Sequence, residues 1–216
     1  MAHIIAGFPA ALVPMKIGAA HLMLWHPIKA EEIVLEAAQK ELKDGKLIPY
    51  WAILWPAAIG LAEHVSQMGN MASKNILELG AGLSLPSLIA AKAGATVLAT
   101  DLAFEAMIFA DANASANRLK METKLLDWNE PPIGLQFDLI LGADLLYEKD
   151  NHKPVLKALQ LMLSKGGKVL LSDPNRYNMQ EFIQLAEAEG WKTSDIPLRI
   201  QWDNGEHPIT IWELKR

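Results

Sequence analysis

Residues 75–101 read NILELGAGLSLPSLIAAKAGATVLATD, and the fold is decided by this stretch. Asn75–Leu79 is a short apolar run, Gly80-Ala81-Gly82 breaks it, and Leu85–Ala93 is a helical stretch of small residues ended by Gly94. Ala95–Thr100 then reads as a second buried strand with Asp101 at its carboxyl end. A strand, a glycine turn, a helix and a strand tipped by an acid together make a nucleotide site. Gly80 and Gly82 allow a sharp turn and let a ligand approach the backbone with no Cβ in the way. Asp101, 21 residues after Gly80, is spaced to accept hydrogen bonds from both hydroxyls of a ribose. Glu78 brings a second carboxylate toward the same pocket. An ordinary core strand that happens to end in glycines is the competing reading.

A dinucleotide site calls for G-x-G-x-x-G/A, whose third small residue lets helix and strand pack closely over a pyrophosphate. Counted from Gly80, that position is Leu85, and no Gly-Lys-Ser/Thr follows to make a P-loop. The pattern acid-x-Gly-x-Gly instead resembles motif I of the class I S-adenosylmethionine (SAM) methyltransferases. By that resemblance Glu78 is the motif acid, Gly80, Ala81 and Gly82 form the cofactor turn, and Asp101 with Leu102 meets the adenosine. Ser84 stands where the family usually has a third glycine, and Pro86 is a further departure.

The chain has 216 residues, 51% hydrophobic and 21% charged, enough for one domain with a substantial core. A net charge of −5 and the absence of a Lys/Arg run argue against a nucleic-acid partner, which needs a basic face. With no cysteine there is no disulfide, thiolate metal site or cysteine nucleophile, and the six histidines lack metal spacing. The two longest uncharged stretches, Leu47–Ala62 and Met1–Met15, each contain two prolines and are too short to span a bilayer. No signal peptide is legible, and the expected location is the cytoplasm, without membrane attachment.

Residues 1–46 read as an appended segment, with one short strand at Ala19–Trp25 and a helix at Ala30–Asp44. That helix carries a Glu36–Lys40 pair, a face of Leu35, Ala38 and Leu42, and Gly45 as its stop. Residues 47–216 read as the main domain. It opens with LIPYWAILWP (47–56), aromatic core packing on the plainest reading, and Pro56 starts a helix running to Gly69. Phe104–Leu119 is an amphipathic helix and Thr123–Leu126 a short strand leading to Asp127-Trp128. The apolar strand Phe137–Ala143 belongs beside Asn75–Leu79 at the sheet centre and delivers Asp144-Leu145-Leu146-Tyr147 to its carboxyl end, where ligands bind in open α/β sheets. Lys153–Ser164 is a helix ended by Gly166-Gly167, Lys168–Ser172 a strand followed by Asp173-Pro174-Asn175-Arg176, and Asn178 with Glu181 a capping box for the next helix. Trp191–Leu198 and Pro208–Lys215 form a closing hairpin around Asp203-Asn204-Gly205. It places one antiparallel strand in an otherwise parallel sheet.

In order along the chain, PYWA-x-x-WP, motif I, LDW, A-D-L-L-Y and S-D-P-N-R resemble the seven-strand protein lysine methyltransferases. The likeness is to the electron-transfer-flavoprotein β-subunit lysine methyltransferases in PYWA-x-x-WP and DPNR. The resemblance implies a Rossmann-like, three-layer α/β/α fold with a mostly parallel seven-stranded sheet. It implies SAM as cofactor, S-adenosylhomocysteine (SAH) as product, and a protein lysine as acceptor. Trp55 would border the methionine part of SAM, Asp127 and Trp128 the adenine, and Ala143 the cofactor beside motif I. Asp144 and Tyr147 become the catalytic candidates, Asp144 accepting a hydrogen bond from the amine and Tyr147 shaping its channel. A small-molecule N-methyltransferase lidded by the amino-terminal segment, a non-catalytic SAM-binding module and, more remotely, an NAD oxidoreductase are the alternatives.

Overall fold

The computed structural model describes residues 3–44, 48–203 and 205–216, with the side chains of 41–44 left aside. Gly45, Asn204 and the boundary expected between residues 46 and 47 lie outside the described residues, as does the side chain of Leu42. Three strands, β1 (His3–Ile5), β2 (Phe8–Ile17) and β3 (Ala20–Pro27), form an antiparallel sheet of their own. Helix α1 (Ala30–Asp44) follows, then a one-turn 3-10 helix at Tyr50–Ala52 and α2 (Pro56–Gln67) with proline in its first turn. The remainder is β4 (Asn75–Leu79), α3 (Leu85–Lys92), β5 (Thr96–Asp101), α4 (Phe104–Ala116), β6 (Glu122–Leu125), β7 (Phe137–Ala143), α5 (His152–Met162), β8 (Leu163–Asp173), α6 (Tyr177–Ala188), β9 (Lys192–Trp202) and β10 (Gly205–Lys215).

The seven-stranded sheet runs β6-β5-β4-β7-β8-β10-β9, with β10 antiparallel to both neighbours and every other pairing parallel. Alternate residues of β4 serve opposite faces, as the period of a strand dictates. Ile76 joins a core with α2, α3, α4 and the amino-terminal sheet, while Leu77 and Leu79 join one with α5 and α6. This is the expected three-layer α/β/α arrangement. Both glycines and Asp101 therefore emerge at the carboxyl edge of the central strands, beside Asp144 just past β7.

Four local expectations are corrected. The amino-terminal segment holds three strands rather than one. Leu35 is 63% exposed, so α1 turns Ile33, Val34, Ala37 and Ala38 inward instead, although the Glu36–Lys40 pair forms. Helix α5 stops at Met162, and Leu163 turns extended, which leaves Gly166 and Gly167 inside β8. No capping box precedes α6: it begins at Tyr177, Asn178 Nδ2 donates to the Tyr147 carbonyl at 2.7 Å, and Glu181 pairs with Lys149.

The amino-terminal sheet is joined to α4 by two asparagines. Asn117 Oδ1 accepts the Met23 N–H at 2.8 Å and its Nδ2 donates to the Met23 carbonyl at 2.7 Å. Asn113 does the same for Trp25, at 2.6 and 3.2 Å, and also donates to the Leu83 carbonyl at 3.1 Å. Four residues along a helix rise about 6 Å, and two along a strand advance about 6.7 Å. The two side-chain amides thus match alternate peptide groups of β3 and occupy the place of a neighbouring strand. Since Met23 spends its polar groups on Asn117, its partner Pro14 on β2 sits at a non-hydrogen-bonded position. Its missing N–H costs the β2–β3 ladder nothing there.

Replacing Asn113 with Ala strands the peptide groups of Trp25 and is expected to lower unfolding free energy by about 1–3 kcal/mol. Urea denaturation measures this, and amide exchange at Met23 and Trp25 should quicken more than in the central sheet.

Candidate active site

The turn after β4 goes through the left-handed region three times: Gly80 has φ +59°, Gly82 has φ +51° and Ser84 has φ +61°. It is fixed by the Ala81 N–H donating to the Thr100 carbonyl at 2.8 Å and the Gly82 N–H to Asp101 Oδ2 at 2.9 Å. A Cβ on Gly82 would stand 3.2 Å from the Trp51 carbonyl, and one on Gly80 only 2.4 Å from Leu145 Cδ2. Ser84 adopts the conformation of the glycine it replaces, and its buried Oγ has no partner. The family's third glycine is absent while its backbone shape is kept, at the cost of about 1–2 kcal/mol for a left-handed L-residue.

Leu145 fills the space that two glycines leave empty. A Cβ at Gly142 would come within 2.5 Å of its Cδ1, as one at Gly80 would of its Cδ2. The leucine next to Asp144 is thereby wedged between β7 and the glycine turn, so the turn and the Asp144–Tyr147 segment are one packed unit.

Around this unit lies a cleft of about 160 Å³ lined by Trp55, Glu78, Gly80, Ala81, Gly82, Asp101, Leu102, Trp128, Ala143, Asp144 and Tyr147, among others. All but one of the residues singled out in the sequence therefore converge. The exception is Asp127, which does not line the cleft and whose exposed carboxylate accepts from the N–H and Nδ2 of Asn129. Tyr50, Trp51 and Leu145 join the site without having been singled out individually, and so does Arg176, which stood only within DPNR.

Each Asp101 oxygen already accepts one backbone N–H, Oδ2 from Gly82 and Oδ1 from Ala103 at 2.9 Å. A second acceptor position stays open on each, which suits a pair of ribose hydroxyls. Burial raises the Asp101 carboxyl, against the pull of the backbone N–H groups of Ala103, Gly82 and Leu102. Glu78 is 1% exposed, and burial pushes it from 4.5 to about 8 although Ser87 N–H donates to its Oε2 at 3.0 Å. At neutral pH it is mainly the neutral acid, so Glu78 adds no full negative charge to the floor of the cleft.

At the other end of the cleft Asp144 holds a left-handed backbone, φ +58°, with its N–H donating to the Ser172 carbonyl at 2.9 Å. Its carboxylate pairs with the Arg176 guanidinium. Asp173 beside them is fully buried, and burial pushes it up to about 6 even though it accepts the Arg176 N–H. Tyr147 packs edge-on to Tyr50 with 5.4 Å between ring centres, and burial pushes its phenol up to about 12, keeping it neutral. Trp55 is fixed by its Nε1 donating to the Tyr50 carbonyl at 3.0 Å.

A doubly glycine-lined turn with no room for side chains, a strand-tip acid with free acceptor positions and a seven-stranded sheet with one antiparallel strand define a class I SAM-dependent methyltransferase. The chain matches the T. thermophilus 16S rRNA methyltransferase RsmC, solved with AdoMet and guanosine, with a TM-score of 0.66. That match covers 96% of this chain and 50% of that one at 17% identity, and it speaks to fold alone. Residues 38–189 match the lysine methyltransferase family, and the chain belongs to it. It is 32% identical over 168 residues to the zebrafish protein N-lysine methyltransferase METTL21A, covering 72% of this chain and 75% of that one. Over 128 residues it is also 32% identical to the Xenopus laevis histone-arginine methyltransferase METTL23, 54% of this chain and 53% of that one.

Two outcomes test the floor of the cleft. Glu78 carries its proton in the folded chain up to about pH 8 and loses it near 4.5 when unfolded, so stability falls as pH climbs between those values. Glu78→Gln should match wild type near pH 4.5 and exceed it by at least about 1 kcal/mol at pH 8 in denaturant titrations. Ser84→Gly removes a left-handed strain and an unpartnered hydroxyl, and is expected to hold or raise the melting temperature with SAM affinity unchanged.

Proposed function

We propose that this chain methylates the Nζ amine of a lysine on another protein, with Asp144 and Tyr147 at the acceptor. The observation that carries this reading is the second cavity, about 170 Å³, lined by Tyr50, Trp55, Asp144, Tyr147 and Arg176. Four of these residues also line the cofactor cleft, so the two spaces meet at Asp144. Tyr50 and Tyr147 are 36% and 38% exposed, which leaves an open rim that a protein surface can approach. Among the described residues, none of 3–40 lines either cavity, which supports an open rim over a lidded small-molecule pocket.

Gly80, Ala81 and Gly82 would receive SAM against bare backbone, Asp101 its ribose and Trp128 its adenine, with Trp55, Leu102 and Ala143 along its length. SAM supplies a methyl group on a sulfonium, which leaves as the acceptor nitrogen lone pair bonds to carbon and the carbon–sulfur pair stays on a neutral thioether. A free lysine has a pKa near 10.4, so presenting it neutral at pH 7 costs roughly 4–5 kcal/mol. Asp144 accepts an N–H of the amine and turns its lone pair toward the cleft. Tyr147, Tyr50 and Trp55 enclose the lysine stem with aromatic surface, and alignment of nucleophile with methyl group is the main source of acceleration.

We take residues 47–216 as the methyltransferase domain and 1–46 as an appended segment. Among the described residues no helix is long and apolar enough to cross a membrane. A chain with no cysteine gains nothing from an oxidising compartment, and we assign its action to the cytoplasm.

Calorimetry should show SAM binding lost by at least tenfold in Asp101→Ala, with no NAD binding in either protein. Asp144→Asn should keep SAM affinity while turnover on a protein acceptor falls by about 100-fold, in the range for a lost proton-handling or orienting group. Full turnover in that variant would remove Asp144 from the reaction.

A further inference from the structure

Arg176 has no assigned part in this reaction, yet it stands where the acceptor must arrive. Its Nη1 pairs with Asp144 Oδ1 and lies 3.9 Å from Asp173 Oδ2. The arrangement is built: the Arg176 N–H donates to Asp173 Oδ1 at 2.5 Å, its extended backbone immediately precedes α6, and the Asp144 side chain is only 7% exposed. Of the five residues lining the acceptor cavity, the ionic ones are this carboxylate and this guanidinium.

An isolated carboxylate beside a lysine stabilises the ammonium and raises its pKa, which works against a nucleophile that must be neutral. A carboxylate already paired with a guanidinium exerts little of that pull, while Oδ2 can still accept an N–H. We propose that Arg176 is a positioning residue that neutralises Asp144, so that the acceptor cavity favours a neutral amine over an ammonium. The inference rests on the methyl-transfer reading above. The proton is shed to solvent before the amine seats, the lone pair then forms the nitrogen–carbon bond as the carbon–sulfur bond breaks, and Asp144 takes no proton from the amine.

The other groups facing this point do not overturn the balance. Tyr50 from the 3-10 turn and Tyr147 from the loop after β7 present phenols, and Tyr147 stays neutral to about 12. Glu148 is exposed and screened by solvent, and Asp101 lies across the cofactor cleft. Asp173, from the end of β8, lies 3.9 Å from the same Nη1, accepts the Arg176 backbone N–H and does not line the acceptor cavity. A lysine would retain the charge of Arg176, and a glutamine would delete it with little change of bulk.

The test uses the full chain saturated with SAH and the probe N-α-acetyl-lysine N-methylamide labelled with ¹⁵N at Nζ, followed by NMR from pH 7 to about 11. In wild type and Arg176→Lys the bound amine should titrate at least one unit below the free amine, a preference of about tenfold for the neutral form. In Arg176→Gln it should titrate at or above the free value, and the ammonium should bind at least fivefold tighter than to wild type. Asp144→Asn combined with Arg176→Gln should abolish that gain. Titration unchanged between wild type and Arg176→Gln, or no detectable probe binding to Arg176→Gln, overturns the proposal. SAH affinity, read in the same samples, separates the two levels: its absence in wild type defeats the methyltransferase reading, whereas its retention with an unmoved amine titration defeats the role of Arg176 alone.

Discussion

Leu145 is the contact on which the site depends. Its two methyl groups occupy the positions that side chains at Gly80 and Gly142 would need, one in the turn just after β4 and the other on the parallel neighbour β7. The glycine turn therefore serves two purposes. It exposes bare backbone toward the cleft, and behind that it admits a leucine that ties the cofactor turn to the acceptor segment. Interiors pack near crystalline density, so a displacement at either end is transmitted to the other. A methyl donor and its acceptor have to be aligned to a fraction of an ångström, and an aliphatic wedge between the two loops meets that demand without any polar contact between them.

A second constraint acts from the opposite side. Asn113 bonds the backbone of Trp25 and the carbonyl of Leu83, the residue just after the glycine turn. The appended sheet and the cofactor turn are consequently held by one buried amide on α4. Trp51 packs against Phe109 of the same helix and sets its carbonyl under Gly82, while Phe8 of β2 packs edge-on to Trp51. The amino-terminal strands thus support the floor of the cleft from behind, a different task from covering its mouth.

The central sheet was legible because its signals are local. Apolar runs, glycine breaks and an acid at fixed spacing lie within 27 consecutive residues, and the same logic placed β7 beside β4 with Asp144 at its end. The amino-terminal sheet was not, for a definite reason. Pro9, Pro14, Gly7 and Gly18 read as breakers, and Pro14 is tolerable because its partner Met23 bonds an asparagine with a sequence separation of 94. Asn178 and Glu181 have the spacing of a cap, but longer-range partners, the Tyr147 carbonyl and Lys149, claimed them. Asp127 bonds its neighbour Asn129 in an Asx turn, a local contact that its place in LDW does not announce. Arg176 lay in a motif that had been noticed, yet only the fold reveals that its guanidinium reaches a strand tip more than thirty residues earlier.

The charges of the cleft follow one physical rule. A reaction that consumes a sulfonium and needs a neutral amine has no use for several bare carboxylates, yet Glu78, Asp101, Asp144 and Asp173 all crowd these strand ends. Each is moderated by a different means. Burial keeps Glu78 protonated at neutral pH, backbone N–H groups hold Asp101, and Arg176 stands against Asp144 and Asp173 together. Asp101 keeps an open acceptor position on each oxygen, at the end where the proposed ribose would donate and no proton has to leave. At the proposed acceptor end Arg176 faces Asp144, and a carboxylate so paired can orient a lone pair with less hold on the proton that blocks it.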